Sequence, residues 1–200
     1  MPGTAGLHDA RPSPTSIRAA QHRALLDAAQ RLINESGGNV PTLTEVAEAM
    51  GLARSSVYLY AKSRKDLVSQ LLLDVIPAWT GGIVDTMDAA GDDPLARLQV
   101  YVDETFRLFI EGEHGQLMAA AQQIPEAFMD PRVQEAHNAL EPVLHALLRE
   151  TGGPVAVSAL PIIDSAIQRG AELVSAGRAG EDTVREALHR MVRGVVADDA

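Results

Sequence analysis

The 200-residue chain has no cysteine, only two lysines among its 17 basic side chains, and few aromatics: three Phe, three Tyr and one Trp. Without cysteine there is no disulfide framework, no CxxC redox pair and no thiolate metal site. Nothing then calls for an oxidising compartment, and a cytoplasmic protein is expected. Apolar stretches are broken every few residues by charge or Gly, so none approaches the roughly 18 apolar residues of a membrane span, and no membrane partner is expected. Residues 1–16 lack the basic-then-apolar order of a signal peptide. Rich in Pro, Gly and Ala, they read as a disordered arm.

Catalytic patterns are also missing. There is no phosphate-cradling Gly loop, no nucleophile elbow and no close acid pair with a partner, and Gly81-Gly82 and Gly152-Gly153 read as breaks. The six histidines (His8, His22, His114, His137, His145 and His189) are scattered. His137 and His145 share one helix face, but no HExxH or other tight ligand spacing occurs. Neither an enzyme, nor a metal, nor a cofactor is expected.

Positive charge is in deficit, with 27 acidic residues against 17 basic ones and a net charge of −10. An acidic surface repels phosphate, so the total alone counts against a nucleic-acid partner. Position reverses this. Between Arg11 and Lys65 there are eight basic residues and four acidic ones, a net of +4, and the remainder carries −14. A basic N-terminal segment on an acidic body is the footprint of a head that approaches phosphate and a body that does not. The bland reading is chance clustering on a solvated face.

Helical periodicity runs through nearly the whole chain, and no alternating strand pattern appears. The fold class is therefore all-α. Leu25, Ala28, Ala29, Leu32 and Ile33 stripe a first helix over residues 16–36, stopped by Gly37 and Gly38. Thr42 and Glu45 have the spacing of a capping box before a two-turn helix whose buried side is Val46, Ala47 and Met50. Gly51 ends it, residues 54–60 read as another short helix, and Ser63 with Asp66 starts a long one near Lys65. Three helices with a tight Gly turn between the second and third make a helix-turn-helix candidate. The division expected is a 1–16 arm, a 17–64 DNA-binding domain and a larger 65–200 helical domain for effector binding and dimerisation.

In that body, a helix over residues 65–90 contains Pro77, which predicts a kink or split. Asp93-Pro94 and Asp130-Pro131 each pair an N-cap acid with an N1 proline. The first opens a helix with Leu95, Leu98, Val102, Phe106 and Phe109 on one face. A short helix follows over 116–123, then one over 131–150 kinked at Pro142, a Gly-rich break at 151–154, and helices over 157–176 and 182–196. In this last pair Leu160, Ile163, Ile167, Gly170, Ala171 and Val174 form one stripe, and Val184, Ala187, Leu188, Met191, Val192 and Val195 another. Period alone leaves two uses open: folding back into the chain's own core, or pairing with a second copy as a four-helix bundle.

The stretch from Thr42 to Leu67 carries the chemistry. A recognition helix exposes short polar and basic groups to base edges while its other face holds it on the scaffold. Arg54, Ser55 and Ser56 lie at the helix N-terminus and Val57 faces the core. Tyr58 and Tyr60 suit the sugar-phosphate chain, with Tyr58 as a core residue the alternative. Lys62, Arg64 and Lys65 place three cations where the chain leaves the groove.

In these residues the sequence resembles the tetracycline-repressor (TetR) family of bacterial transcriptional regulators. The matching elements are Leu25-Leu26-Asp27-Ala28-Ala29, Thr42 with Val46-Ala47, Gly51-Leu52, Ser55-Ser56-Val57-Tyr58 and Ser63-Arg64-Lys65-Asp66-Leu67. They recur in order over residues 17–68. Three positions depart from the pattern: Ala53 where Ser or Thr usually caps the recognition helix, Ala61 for an aromatic, and Arg64 for Lys. The resemblance implies a homodimeric, ligand-responsive regulator, a repressor of a palindromic operator. It implies that Thr42 contacts phosphate, that Arg54, Ser55 and Ser56 face bases, and that Tyr58, Tyr60 and Lys62 fix the backbone, with Arg64 and Lys65 beside them.

It further implies a small-molecule effector in the body. Trp79, Met87, Tyr101, Phe106, Phe109, Met118, Phe128 and Met129 supply wall material, and Gln122, Gln123, His114 and His137 are polar handles; the same residues can equally be core. Dimerisation is expected through Ile163, Ile167, Gly170, Val174, Val184, Leu188, Met191 and Val195. The competing class is an all-helical small-molecule-binding or scaffold protein whose basic segment makes protein contacts.

Overall fold

The computed structural model describes residues 13–196, so most of the expected N-terminal arm lies outside the described residues. Its last residues already belong to a helix: the Ser13 hydroxyl accepts the Ser16 N–H at 3.1 Å and opens α1, Pro14–Glu35. Every regular element among the described residues is helical. After α1 come α2 (Leu43–Ala49), α3 (Arg54–Val57) and α4 (Arg64–Ala89), then α5 (Pro94–Ile110) and α6 (Gly112–Gln122). A 3₁₀ turn (Pro125–Ala127) leads to α7 (Pro131–His137), a second 3₁₀ turn (Asn138–Leu140), α8 (Glu141–Ser158), α9 (Leu160–Ser175) and α10 (Glu181–Val196).

Local chemistry accounts for the boundaries. The Thr42 N–H donates to Glu45 Oε2 at 2.6 Å, and the Glu45 N–H donates back to Thr42 Oγ1 at 3.2 Å, a complete capping box. The Thr42 N–H also holds the Glu45 carboxyl below its ordinary range. A depressed folded value means that this contribution is present at neutral pH and is lost as pH falls through it. Thr42→Ala is expected to lower stability by about 1 kcal/mol in urea denaturation at pH 7. At the other end of α2, Gly51 sits at φ +65° while the Leu52 N–H reaches Ala47 O and the Gly51 N–H reaches Glu48 O, a left-handed C-cap that favours glycine. Asp93 and Asp130 cap α5 and α7 ahead of their prolines, accepting from Leu95 and Arg132.

Four expectations change. The recognition helix is one turn, not two: beyond Val57 the N–H groups of Leu59 and Tyr60 bond three residues back, and Ala53 offers no side-chain cap. α4 runs unbroken through Pro77. The helix expected over 131–150 is split, because Pro142 falls in the first turn of α8 rather than inside a longer helix. Finally, the Gly-rich break falls where expected, at the non-helical Gly152 and Gly153 inside the α8 span, but the next helix begins at Leu160 rather than 157.

Packing does not divide at residue 65. One core joins Leu25, Ile33, Val46, Val57 and Leu67 to Leu117, Ala120, Ala121, Ala127 and Val133, so α6 and α7 complete the core of the head. The second gathers Ile83, Met87, Leu98, Phe106, Leu148, Ile167 and Val192. α4 contributes to both. By length and composition α4 could cross a membrane, contrary to the sequence expectation; here its buried face, Leu67 to Met87, packs within the chain. The head is also tied to the body by polar contacts. Arg23 pairs with Asp74 at 2.5 Å, His22 meets Gln70 at 2.6 Å, and Gln123 Nε2 donates to Gly38 O at 2.7 Å. Gly38 (φ +98°) lies so close to α6 that a Cβ would sit 3.1 Å from the Ala119 methyl.

The stripes expected at a dimer interface turn inward. Ile163, Ile167, Gly170, Val184 and Leu188 are buried in the second core, and Val174, Met191 and Val195 are half-buried at its edge. A Cβ on Gly170 would come within 2.5 Å of Val184 Cγ1, so the missing side chain sets how closely α9 approaches α10. A surface for a second copy must therefore use the opposite face of these helices.

Candidate nucleic-acid interface

Val57, fully buried, anchors the short α3 and leaves its other side exposed. Arg54 and Ser55 are exposed and Ser56 is half-buried. Tyr58 is 41% exposed, which removes the core reading for it. Its hydroxyl accepts from Arg54 Nη2 at 2.8 Å, and the guanidinium carbon lies 5.4 Å from the ring centroid. This contact shapes the Arg54 side chain before any partner arrives. Leu59, 69% exposed beside them, is an apolar surface residue that sequence reasoning passed over.

The remaining candidates separate into free and engaged groups. Thr42, Lys62 and Lys65 are exposed. Tyr60 is half-buried: its hydroxyl donates to Gln21 Oε1 at 2.5 Å, its ring stacks on His22, and its carbonyl accepts from Gln70. It pins the turn after α3 to α1 and α4 rather than standing out from the surface. Arg64 Nη2 donates to Val40 O at 2.7 Å, fixing the loop before α2. Ala61 is fully buried where an aromatic was expected, and Ala53 caps α3 without a side-chain bond. Of the other cations in the basic segment, Arg23 pairs with Asp74 and Arg31 with Glu35. Among the described residues Arg18, Arg54, Lys62 and Lys65 have no carboxylate in ion-pair range.

The body contains a cavity of about 120 Å³ at the junction of the two cores, lined from α4, α5 and α6 and from α8 and α9. Trp79, Tyr101, Phe109, Met118, Phe128 and His137 of the expected set line it. Met87 and Phe106 instead belong to the solid core, each fully buried. Gln122 and Met129 are exposed, Gln123 holds Gly38, and His114 packs on Trp79 with centroids 5.1 Å apart. Asp164, Glu141 and Thr105 were missed. Asp164 had a readable signal, a carboxylate lying between Leu160 and Ile167 on the edge of an otherwise apolar stripe. It accepts from the Tyr101 hydroxyl at 2.6 Å. Burial pushes the Asp164 carboxyl above its ordinary range, and burial and then the Asp164 charge push the Tyr101 phenol well up. Among the described residues no group of three His, Asp or Glu could hold a metal.

A family model for bacterial regulatory proteins, tetR family, matches residues 25–71, which span the capping box, α3 and the start of α4. No curated protein sequence matches the chain. Solved structures share its fold along nearly its full length. A TetR family transcription regulator from Marinobacter aquaeolei VT8 is 20% identical, covering 92% of this chain and 99% of its own with a TM-score of 0.65. The transcriptional regulator FadR from Bacillus subtilis, solved in complex with stearoyl-CoA, is 16% identical over 90% of this chain and 100% of its own, TM-score 0.65. The TetR-like regulator LfrR from Mycobacterium smegmatis, solved in complex with proflavine, is 19% identical over 90% and 98%, TM-score 0.60. The match falls on the segment whose buried Val57 presents Arg54 and Tyr58 to solvent: residues 25–71 are similar to the tetR family of bacterial regulatory proteins, and the fold around them is the one those solved regulators share.

Proposed function

We propose that the protein is a ligand-responsive repressor that binds a palindromic operator as a homodimer, with residues 17–64 reading DNA and the helical body binding an effector. The observation that carries this reading is the head itself: exposed Arg54, Ser55 and Tyr58 on a buried Val57 anchor, with Lys62 and Lys65 free beside them. Arg54 and Ser55 face base edges, with Ser56 at their margin. Thr42, Tyr58, Lys62 and Lys65 meet the sugar-phosphate chain, while Tyr60 and Arg64 hold the reading helix in place. The acidic remainder of the chain keeps the rest of the molecule off the phosphates.

Dimerisation uses the outward faces of α9 and α10, where Ile162 is 65% exposed and Ala187 is exposed. Two heads reach successive major grooves only when held about 35 Å apart. The cavity lies where the two cores meet along α4, and α6 lies against Gly38 of the head. A ligand that wedges the cores apart moves α4 and α6 relative to α1. It releases DNA to the extent that it binds the spread form better than the DNA-competent one. The structural neighbours crystallised with stearoyl-CoA and with proflavine are regulators with a bound small molecule, in keeping with an effector here.

The test is fluorescence anisotropy with the promoter DNA next to the protein's own gene across a range of salt. Several phosphate contacts predict a steep loss of affinity with salt. Lys62→Ala weakens all sequences alike and lowers the salt slope by about one contact's worth per protomer. Arg54→Ala costs about 1–3 kcal/mol and also relaxes base preference. No specific complex, or a flat salt dependence, returns the chain to the scaffold class. Equal loss on all operators from both variants removes base reading from Arg54.

A further inference from the structure

We infer that the body cavity takes a lipophilic cation of about one aromatic ring, an arylalkyl ammonium in chemical class, with its ring among Trp79, Tyr101 and Phe109 and its nitrogen against Asp164 and Glu141. This rests on the reading that the body binds an effector and adds which kind.

The lining carries two carboxylates and no lysine or arginine; His137, at the exposed rim, is its one basic side chain. Among the described residues neither Asp164 nor Glu141 has a cation in ion-pair range. The partner Asp164 does have is a phenol, the Tyr101 hydroxyl at 2.6 Å. A half-buried carboxylate with apolar neighbours and no counter-ion is penalised by lost hydration, and a ligand ammonium removes that penalty. An anionic ligand would meet like charge with no guanidinium or ammonium to receive it. A neutral one would take more water from Asp164 and return nothing. The aromatic walls favour the same sign, because ring faces attract cations. Thr105 Oγ1, shielded from solvent one turn along α5 from Tyr101, adds an acceptor for an ammonium N–H. Size sets the scale: the free space is about 120 Å³, and an apolar cavity of about 150 Å³ holds benzene.

Trp79 is the chain's single tryptophan and lines the cavity, so its fluorescence reports occupancy directly. The full-length protein is titrated with 2-phenylethylammonium, 2-phenylethanol and phenylacetate. The cation is expected to bind saturably, at least about tenfold tighter than the alcohol, with phenylacetate weakest. Asp164→Asn, which keeps an acceptor for Tyr101, and Glu141→Gln, on the exposed rim, each lower cation affinity by about tenfold while changing alcohol affinity less than about threefold. Tighter or equal binding of the alcohol or of phenylacetate overturns the inference. So does an absence of saturable binding by the cation, or unchanged cation affinity in both variants. Operator binding by the unliganded protein is measured separately. An operator complex without cation binding removes the ligand class and leaves the regulator reading intact; cation binding without an operator complex does the reverse.

Discussion

Phe106→Ala is expected to lower the free energy of unfolding by about 3–5 kcal/mol, read as a fall in the urea midpoint at unchanged slope. Phe106 is fully buried in the second core. Its ring edge lies 3.7 Å from where a Cβ on Gly170 would stand, so it packs beside Val184 against the surface that glycine leaves on α9. α5 packs on α4, α8, α9 and α10, and truncating its largest core side chain leaves a void bordered by several helices that cannot all collapse onto it. Against a total of about 5–15 kcal/mol for a typical domain, the body should be partly unfolded at moderate temperature. Phe109, half-buried on the cavity wall one turn later, is the control. It already faces open space, so Phe109→Ala should cost clearly less. Equal costs would place the solid core and the cavity differently from the arrangement described here.

The two phenylalanines also show what patterning can and cannot tell. Both lie on the apolar stripe of α5, and a stripe identifies the inward side of a helix without saying whether that side meets another helix or a void. The distinction depends on which residues on distant elements converge: the cavity exists because Trp79, Phe128 and Leu160, from three separate segments, stop short of closing on one another. Met87 and Phe106, equally suitable in type, fall where the helices do close. Asp164 was missed although its position carried a signal, because an acid among apolar neighbours needs an explanation that a leucine does not.

In the head, nearly everything local was legible. The capping box at Thr42, the left-handed stop at Gly51 and the Asp-Pro helix starts are short-range chemistry, decided by residues three or four apart. The engaged groups were not. Arg64 reads as a free cation until the Val40 carbonyl appears 2.7 Å from its guanidinium, 24 residues earlier in the chain. Tyr60 reads as a backbone clamp until Gln21 and His22 of α1 are seen to hold it. The packing around the expected domain boundary was hidden for the same reason. Charge and motif both change near residue 65, but the head's hydrophobic core is completed by Leu117, Ala120 and Val133, more than fifty residues further on. On the proposed reading, that shared core is the route by which an event at the cavity reaches α3.

Ile167→Asp and Ile162→Asp are expected to separate the two roles that one helix plays. Both lie on α9, and on the sequence Ile167 looked like the residue to charge in order to break a dimer. It is fully buried, at the centre of the second core with Leu188 and Val192. An aspartate there removes the packing of a large aliphatic side chain and places a carboxylate where no described cation can reach it. The combined cost is several kcal/mol, about 4 or more, with the carboxyl taking up a proton as the less costly outcome. The protein should lose its cooperative urea transition or show it far below the wild-type midpoint, and any loss of dimer would follow from unfolding. Ile162, 65% exposed on the outer face, should tolerate the same change within about 0.5 kcal/mol, since its side chain has little to lose inside the protomer. If the outer face of α9 joins two copies, sedimentation of folded Ile162→Asp shifts toward monomer, and operator affinity falls because each half-site is then bound alone. An unaltered dimer with this variant moves the interface off the outer face of α9. A well-folded Ile167→Asp protein would mean that α9 does not turn the face into the core that its stripe, its glycine and its contact with α10 all require.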